Sequence, residues 1–327
     1  MAHFFRWRAL LLAPLAFMLG LALGAVMGAG VESRDDAQTE PRPASADPPE
    51  APRPGIAVRI PVAIPEPASI EREAPTRAVP DIADGWRRHA VAVDLPRDRK
   101  LIAIVIDDLG VDRARSDRAS RLPGPLTLAF LPYARDFGAQ VAAARSQGHE
   151  VIVHMPMEPL GHQDPGPEAL RVDWTAARIR QHVASALDRA GVVVGLNNHM
   201  GSRFTADSVA MRPVLAELGA RDLIFVDSRT TADSVAAALA REMSVPYVAR
   251  DVFLDHEPTA AAVLARLAET ELIARRNEHA VAIGHPRDAT LDVLADWLRH
   301  APARGLAIVP VSAIVRHKRE RAMAARP

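Results

Sequence analysis

From residue 99 to residue 316, short apolar runs alternate with longer stretches in which apolar positions recur every three or four residues. The runs are Leu101–Ile106, Leu126–Leu131, Val151–Val153, Val192–Val194, Leu223–Val226, Tyr247–Leu254, Ala280–Ile283 and Leu306–Val311. Short, unbroken and rich in Val, Ile and Leu, they match strands buried on both faces of a parallel sheet. The stretches 135–147, 175–190, 206–219, 233–243, 258–276 and 289–299 carry helical periodicity. Asp173 or Thr175 is a candidate cap for one of these helices and Thr205 for another, while Gly148, Gly191, Gly219 and Gly305 mark helix ends or the turns after them. Strand then helix, repeated about seven times, predicts a parallel sheet covered by helices. An open doubly wound sheet and a closed or nearly closed barrel both satisfy that pattern. In both, ligands meet the carboxyl ends of the strands.

Upstream the pattern changes twice. Arg6 and Arg8 precede an uncharged, almost wholly apolar segment, Ala9–Val31, which Glu32, Arg34, Asp35 and Asp36 follow. As a helix it spans roughly 34 Å, enough for a hydrocarbon core of about 30 Å. An uncleaved signal anchor over 1–31, basic end inside, is the expectation. A cleaved signal peptide is the alternative, since Ala22–Ala25 loosely matches a cleavage site. Gly20, Gly24 and Gly28 repeat every fourth residue, a spacing that suits a homodimer of membrane helices or is simply tolerated in one. Residues 32–98 hold 12 of the 27 prolines, so an extended, disordered spacer is expected there. Trp86 and Val91–Val93 are its candidates for docking on the folded domain at 99–316, and 317–327 reads as a solvated basic tail. Anchor, stalk and head together place the head at the periplasmic face of the inner membrane, or free in the periplasm if the anchor is cut.

Composition narrows the chemistry. The 327 residues carry 40 basic against 40 acidic side chains and no cysteine. A balanced charge, with no basic block interleaved with aromatics, argues against a nucleic-acid partner. Without cysteine there is no thiolate nucleophile, so any metal must be held by His, Asp or Glu. No Gly-x-Gly-x-x-Gly follows the first strand and no Walker sequence occurs, which removes the usual nucleotide readings.

Chemistry-bearing residues gather just past the strand ends. Asp107, Asp108 and Gly110 follow the first run, and His154 to Glu158 the third. Asn197-Asn198-His199 follows the fourth, Asp227-Ser228-Arg229 the fifth, Asp255-His256-Glu257 the sixth and Gly284-His285-Pro286 the seventh. Adjacent carboxylates repel unless a cation lies between them or one holds a proton. A lone histidine is more often structural than functional. Four of them, with an Asp pair at one end of a parallel sheet, suit a hydrolytic metal site, for which Asp plus two His is a common set.

The stretch Gly148-His149-Glu150 leading to His154, one strand–helix unit after Asp107-Asp108, resembles polysaccharide deacetylases of the NodB-homology type. More closely, Asp107-Asp108-Leu109-Gly110, the string His154 to Pro159, the string Asn197 to Ser202 and Val226 to Thr230 resemble the divergent polysaccharide deacetylase family of bacterial envelope proteins. The resemblance covers nearly the whole head and implies a distorted seven-stranded parallel (β/α) barrel. It further implies Asp107 as catalytic base, Asp108 and His154 as metal ligands, and His285 as general acid. The ordinary family's second histidine, four residues after the first, is Glu158 here, and its Arg-x-Pro-Tyr segment has no counterpart. His199 is therefore taken to complete the metal set with Asp108 and His154, with Glu158 in reserve. Asn197, Asn198 and His256 are candidates for the substrate or its oxyanion. Asp227 either orients His285 or caps the following turn.

The expected cofactor is a divalent cation, zinc first, and the expected partner an envelope glycan such as peptidoglycan or another N-acetylated polysaccharide. Two function classes follow. One is a metal-dependent hydrolase removing N-acetyl groups from that glycan. The other is a catalytically inactive barrel that binds glycan or an envelope partner during cell-wall remodelling.

Overall fold

The computed structural model describes residues 85–324. The expected anchor, its glycine face and the expected spacer up to residue 84 lie outside the described residues. Among the described residues no helix is long and apolar enough to cross a membrane.

Strands and helices alternate through the head. In chain order they are α1 (Gly85–His89), β1 (Lys100–Leu109), α2 (Arg113–Ser120), β2 (Thr127–Phe130), α3 (Phe137–Ser146) and β3 (Glu150–Met157). Next come α4 (Ala176–Ala190), β4 (Gly195–Met200), α5 (Ser208–Ala220), β5 (Ile224–Asp227), α6 (Ala236–Glu242), β6 (Tyr247–Ala249) and β7 (Val252–Phe253). The chain closes with α7 (Ala260–Asn277), β8 (His279–Gly284), α8 (Asp288–His300), β9 (Leu306–Ile308) and α9 (Val311–Ala324). All the pairings are parallel and run in the order β6-β5-β4-β3-β2-β1-β8-β7, with β9 beside the first residues of β1.

The two outermost strands of that series are neighbours in the chain. Only Arg250 and Asp251 separate β6, which pairs with β5, from β7, which pairs with β8. Asp251 grips β8 at this break: its N–H donates to Val281 O, and its carboxylate accepts from Val281 N, both at 2.8 Å. The sheet thus returns on itself as seven staves, one of them broken. The expected distorted seven-stranded barrel is met, and the distortion sits in 247–253.

The core is the inside of this barrel and the seam beneath the helices. Leu101–Ile106 of β1 is at most 2% exposed, and each large aliphatic side chain so buried contributes roughly 1.5–3 kcal/mol. At the amino-terminal rim the segment around α1 crosses the barrel end. Trp86 is buried and its N–H donates to Asp222 O, His89 Nδ1 meets Val193 O at 2.8 Å, and Arg316 donates to Val93 O. Gly85 lies so close that a Cβ there would sit 2.3 Å from Asp222 O. The ordered structure thus includes residues 85–98, which the sequence reading assigns to the spacer ahead of a domain starting at 99.

Three boundaries differ from the sequence reading. Val311 opens a helix rather than ending a strand; Pro310, which has no N–H to give to a ladder, marks the switch. The expected basic tail is, as far as Ala324, the second half of α9, and Arg319 lies over the Trp86 ring. Finally, β4 starts at Gly195, beyond the apolar Val192–Val194, so Asn197, Asn198 and His199 lie on the strand itself.

Candidate metal centre and active site

Successive residues of a strand point to opposite faces, so Asp107 and Asp108 should not both reach one site. The sheet register resolves this. Between Ile106 and Leu109 of β1, partnered by Leu128 and Phe130 of β2, there is one extra residue, and Asp108 takes a left-handed backbone with φ 57°. Such a bulge re-aims a side chain, and Asp tolerates the left-handed region better than most residues. Gly110, with φ 107°, completes the turn where a Cβ would lie 2.5 Å from the Ala134 methyl.

The bulge brings Asp108 to the two histidines. Asp108 Oδ1 lies 3.1 Å from His154 Nε2 and 2.8 Å from His199 Nδ1, and the two nitrogens are 3.1 Å apart. Among the described residues these three form the one cluster able to hold a metal ion. Tetrahedral zinc with bonds of roughly 2.0–2.1 Å sets its ligand atoms about 3.3 Å apart, so this triangle needs to open by only a few tenths of an ångström.

Asn197 supports the arrangement through hydrogen bonds. Its Nδ2 donates to Asp107 Oδ1 at 2.8 Å and to Ser228 Oγ at 3.1 Å. A carboxylate only accepts, so the amide group faces Asp107 and the amide oxygen faces His154. His154 Nδ1 then donates to that oxygen at 2.8 Å, which leaves the Nε2 lone pair for a cation. This is the partner that a metal-bound histidine needs on its other nitrogen. Alternation along β4 puts Asn197 and His199 on one face, and register places Asn197 beside His154.

Charge points the same way. Burial alone would push the His154 imidazole down, but Asp107 and Asp108 outweigh it and carry it up to about 9. Burial likewise opposes ionisation of Asp108, yet hydrogen bonds from both histidines hold its carboxyl well below the usual range. The corner demands positive charge, and a proton on His154 or a divalent cation supplies it. Asp107 is buried at 3% exposure, and burial raises its carboxyl above the ordinary value despite the neighbouring histidines. Its second oxygen, Oδ2, lies 3.8 Å from His154 Nε2.

His285 stands at the end of β8 with Nε2 3.7 Å from Asp108 Oδ2. Its Nδ1 donates to Asp255 Oδ1 at 3.0 Å; the other oxygen of Asp255 accepts from His285 N and Thr290 Oγ1. Burial pulls the His285 imidazole down, but the Asp255 hydrogen bond and the charges of Asp107 and Asp108 raise it on balance. Asp255, not Asp227, therefore orients His285. Asp227 is spent locally, accepting from Arg229 N, Ser234 Oγ and Tyr247 Oη.

Four further expectations are corrected by geometry. Asn197 cannot also serve an oxyanion, because both ends of its amide are committed. Asn198 lines the cavity, but it accepts from Ser228 N and donates to Met200 O and Thr230 Oγ1, so it braces β4 instead. His256 is exposed and lines a separate groove with Glu257 and Arg266; alternation along 253–256 turns Phe253 and Asp255 to His285 and His256 away. Glu158, the reserve ligand, accepts from Val172 N and Arg203 Nη1 and stands outside the cluster. No sequence signal separates Asp255 from Asp227; in the structure Phe253 also reaches His285, its ring edge-on at 5.4 Å.

These groups open into a cavity of ≈ 450 Å³ whose lining includes Met200, Phe253 and Ile283 on the apolar side and Arg229, Arg250 and Arg287 on the charged side. Such a volume suits a small polar ligand or one or two sugar rings.

A model of the family described as divergent polysaccharide deacetylase matches residues 104–315. An uncharacterised protein of Haemophilus influenzae is 35% identical over 201 residues, 62% of this chain and 72% of its own. The uncharacterised protein YibQ of Escherichia coli is 33% identical over 201 residues, 62% of this chain and 63% of its own. The crystal structure of the uncharacterised protein ATU2773 from Agrobacterium tumefaciens superposes with a TM-score of 0.66 at 33% identity, covering 70% of this chain and 94% of that one.

Proposed function

The chain belongs to the divergent polysaccharide deacetylase family, and from that premise we propose that it is a metal-dependent amide hydrolase removing N-acetyl groups from an envelope glycan. The supporting observation is the convergence of Asp108 Oδ1, His154 Nε2 and His199 Nδ1 within 3.1 Å of one another at an open cavity. Proton-transfer groups flank the triangle. Zinc is the ion we favour, because a carboxylate with two imidazoles is the donor set of hydrolytic zinc sites. A divalent cation there would polarise an acetamide carbonyl and acidify a nearby water.

The residues divide the proton work. Asn197 holds Asp107 Oδ1 and leaves Oδ2 free, 3.8 Å from His154 Nε2. With its carboxyl raised by burial, Asp107 is the stronger base, and it takes the proton of the water that attacks the acetamide carbon. As the C–N bond breaks, His285 gives its Nε2 proton to the departing amine, and acetate and an amino sugar leave. Asp255 keeps His285 charged and aimed. For the place of work we propose the periplasmic face of the inner membrane, reached through the apolar segment Ala9–Val31.

The test uses the full chain. Metal analysis after zinc loading should give one ion per chain, and N-acetylated glycan should release acetate only in the loaded protein. Full metal occupancy in Asp108→Ala refutes the ligand set. A bound ion with no acetate from any N-acetylated glycan refutes the hydrolase and leaves the glycan-binding reading.

A further inference from the structure

The charged wall of the cavity goes beyond what an acetamide requires. Arg229, Arg250 and Arg287 line it together, and among the described residues none of the three has a carboxylate within ion-pair distance. Arg250 is fixed: its Nε donates to Ser228 O at 2.7 Å, its Nη2 to Arg229 O at 2.9 Å, and its guanidinium lies over the Phe253 ring. These contacts leave Nη1 uncommitted. Arg287 donates Nη1 to Asp255 O at 2.6 Å and is otherwise exposed.

Arg229 is placed at some expense. Its backbone is left-handed, with φ 48°, a conformation unfavourable for a residue other than glycine. Asp227 holds that turn by accepting from Arg229 N at 2.8 Å. Burial and the neighbouring Arg229 charge depress the Arg250 guanidinium, outweighing the opposite pull of Asp107, Asp227 and Asp251. Guanidinium forks are the usual partners of carboxylate and phosphate.

We infer that the substrate is an anionic glycan: an N-acetylated sugar bearing a carboxylate or phosphate that Arg229, Arg250 and Arg287 grip while its acetamide faces Asp107 and His285. This deepens the hydrolase reading, resting on it for the place of the acetamide, while the anion grip can be measured without turnover.

The experiment titrates the full zinc-loaded chain, in an Asp107→Asn background, with three tetrasaccharides by calorimetry at low salt. One is the neutral N-acetylglucosamine tetramer, one alternates with N-acetylmuramic acid and carries carboxylates, and one bears a 6-phosphate. A charged tetramer should bind at least about tenfold tighter than the neutral one, the scale of one charge-assisted hydrogen bond. The preferred arm names the anion. Arg229→Gln plus Arg287→Gln should abolish the preference, whereas Arg212→Gln, on a surface pair with Glu242 outside the cavity, should keep it. Equal affinities, no binding, or a preference that survives the double variant would overturn the inference. The outcomes separate from those of the hydrolase: arginine-dependent binding without acetate release from the Asp107 chain sinks the hydrolase alone, and acetate release without charge preference sinks the anion grip alone.

Discussion

Replacing Asn197 probes the centre without touching a ligand. Leucine has nearly the same outline but no polar atoms, so three contacts vanish: those to His154 Nδ1 and Asp107 Oδ1, both 2.8 Å, and to Ser228 Oγ at 3.1 Å. Asn197 is fully buried, and water does not replace what is lost. Each orphaned partner costs about 1–3 kcal/mol, so with three of them the unfolding free energy should fall by roughly 3–9 kcal/mol. Losing the hydrogen bond that orients a ligating imidazole typically weakens a metal 10- to 100-fold, or ~1.4–2.8 kcal/mol. Asn197→Asp separates the two roles. A carboxylate still accepts from His154 Nδ1, so zinc affinity should stay within a few-fold (roughly 3-fold) of the parent. It cannot donate to Asp107, so stability should fall as in the leucine variant. Zinc competition titration and urea unfolding on the same preparations read both quantities. A leucine variant that binds zinc as tightly as the parent, or an aspartate variant as weak as leucine, refutes the relay from Asp107 to His154.

Other expectations follow from the same contacts. Asp107→Asn should keep zinc at full stoichiometry while acetate release drops by about 10²-fold or more; unchanged turnover would remove Asp107 from its role. Asp255→Asn should lower kcat by a similar ~10²-fold and, since Asp255 raises the His285 imidazole, move the alkaline limb of the pH profile to lower pH; an unmoved limb argues that Asp255 only packs. Glu158→Gln should leave zinc affinity untouched, because its carboxylate serves Val172 N and Arg203, and a lost ion would restore it as a ligand. Glu150, buried at the amino-terminal rim, has a carboxyl that burial raises from 4.5 to about 7. The protonated form is thus favoured by the fold: stability is fully present below pH 4.5 and falls by up to ~3 kcal/mol as pH rises through 7. Between pH 5 and pH 8, urea unfolding should show stability falling further in the parent than in Glu150→Gln, by up to ~3 kcal/mol; equal falls would remove Glu150 from this role.

Much of this was legible in the sequence because burial on both faces leaves strands unmistakably apolar. The runs from Leu101 to Ile283 each marked a stave, except Val192–Val194, which lies just ahead of β4, and the acids and histidines at their ends announced which rim is polar. His199 could be set with Asp108 and His154 only through the family resemblance, whose second histidine is missing here, and with Glu158 held in reserve; the three do come together as one cluster. What escaped was partner choice among neighbours in space. Asp227 and Asp255 both follow a strand and both precede a helix, and only the turn at Arg229 and the approach of β8 decide which one meets His285. Asn197 and Asn198 looked alike as well, yet alternation sends one to Asp107 and the other to the backbone of Met200 and Ser228. Polar residues on β4 pushed its expected position toward the apolar Val192–Val194, because a strand that carries chemistry loses the pattern by which strands are recognised.

The centre also depends on a strand that contributes nothing to it. In sheet order β2 lies between β1 and β3, so Asp108 and His154 must meet across its end. β2 is only four residues long and stops at Phe130, which pairs with Leu109. β3 runs past it to Met157, and the β1 bulge leans Asp108 over the gap. A longer β2 would keep the ladder regular and hold Asp108 and His154 apart by two inter-strand spacings, roughly 10 Å. The 3.1 Å approach of Asp108 Oδ1 to His154 Nε2 therefore rests on two irregularities acting together, the short strand and the extra residue. Deleting Leu109 shortens this segment by one residue while keeping both aspartates, so Gly110 would take the place opposite Phe130; it should restore regular pairing and abolish zinc binding while leaving helix content intact by circular dichroism. A deletion variant that still binds zinc at full stoichiometry would show that the bulge is not what brings the ligands together.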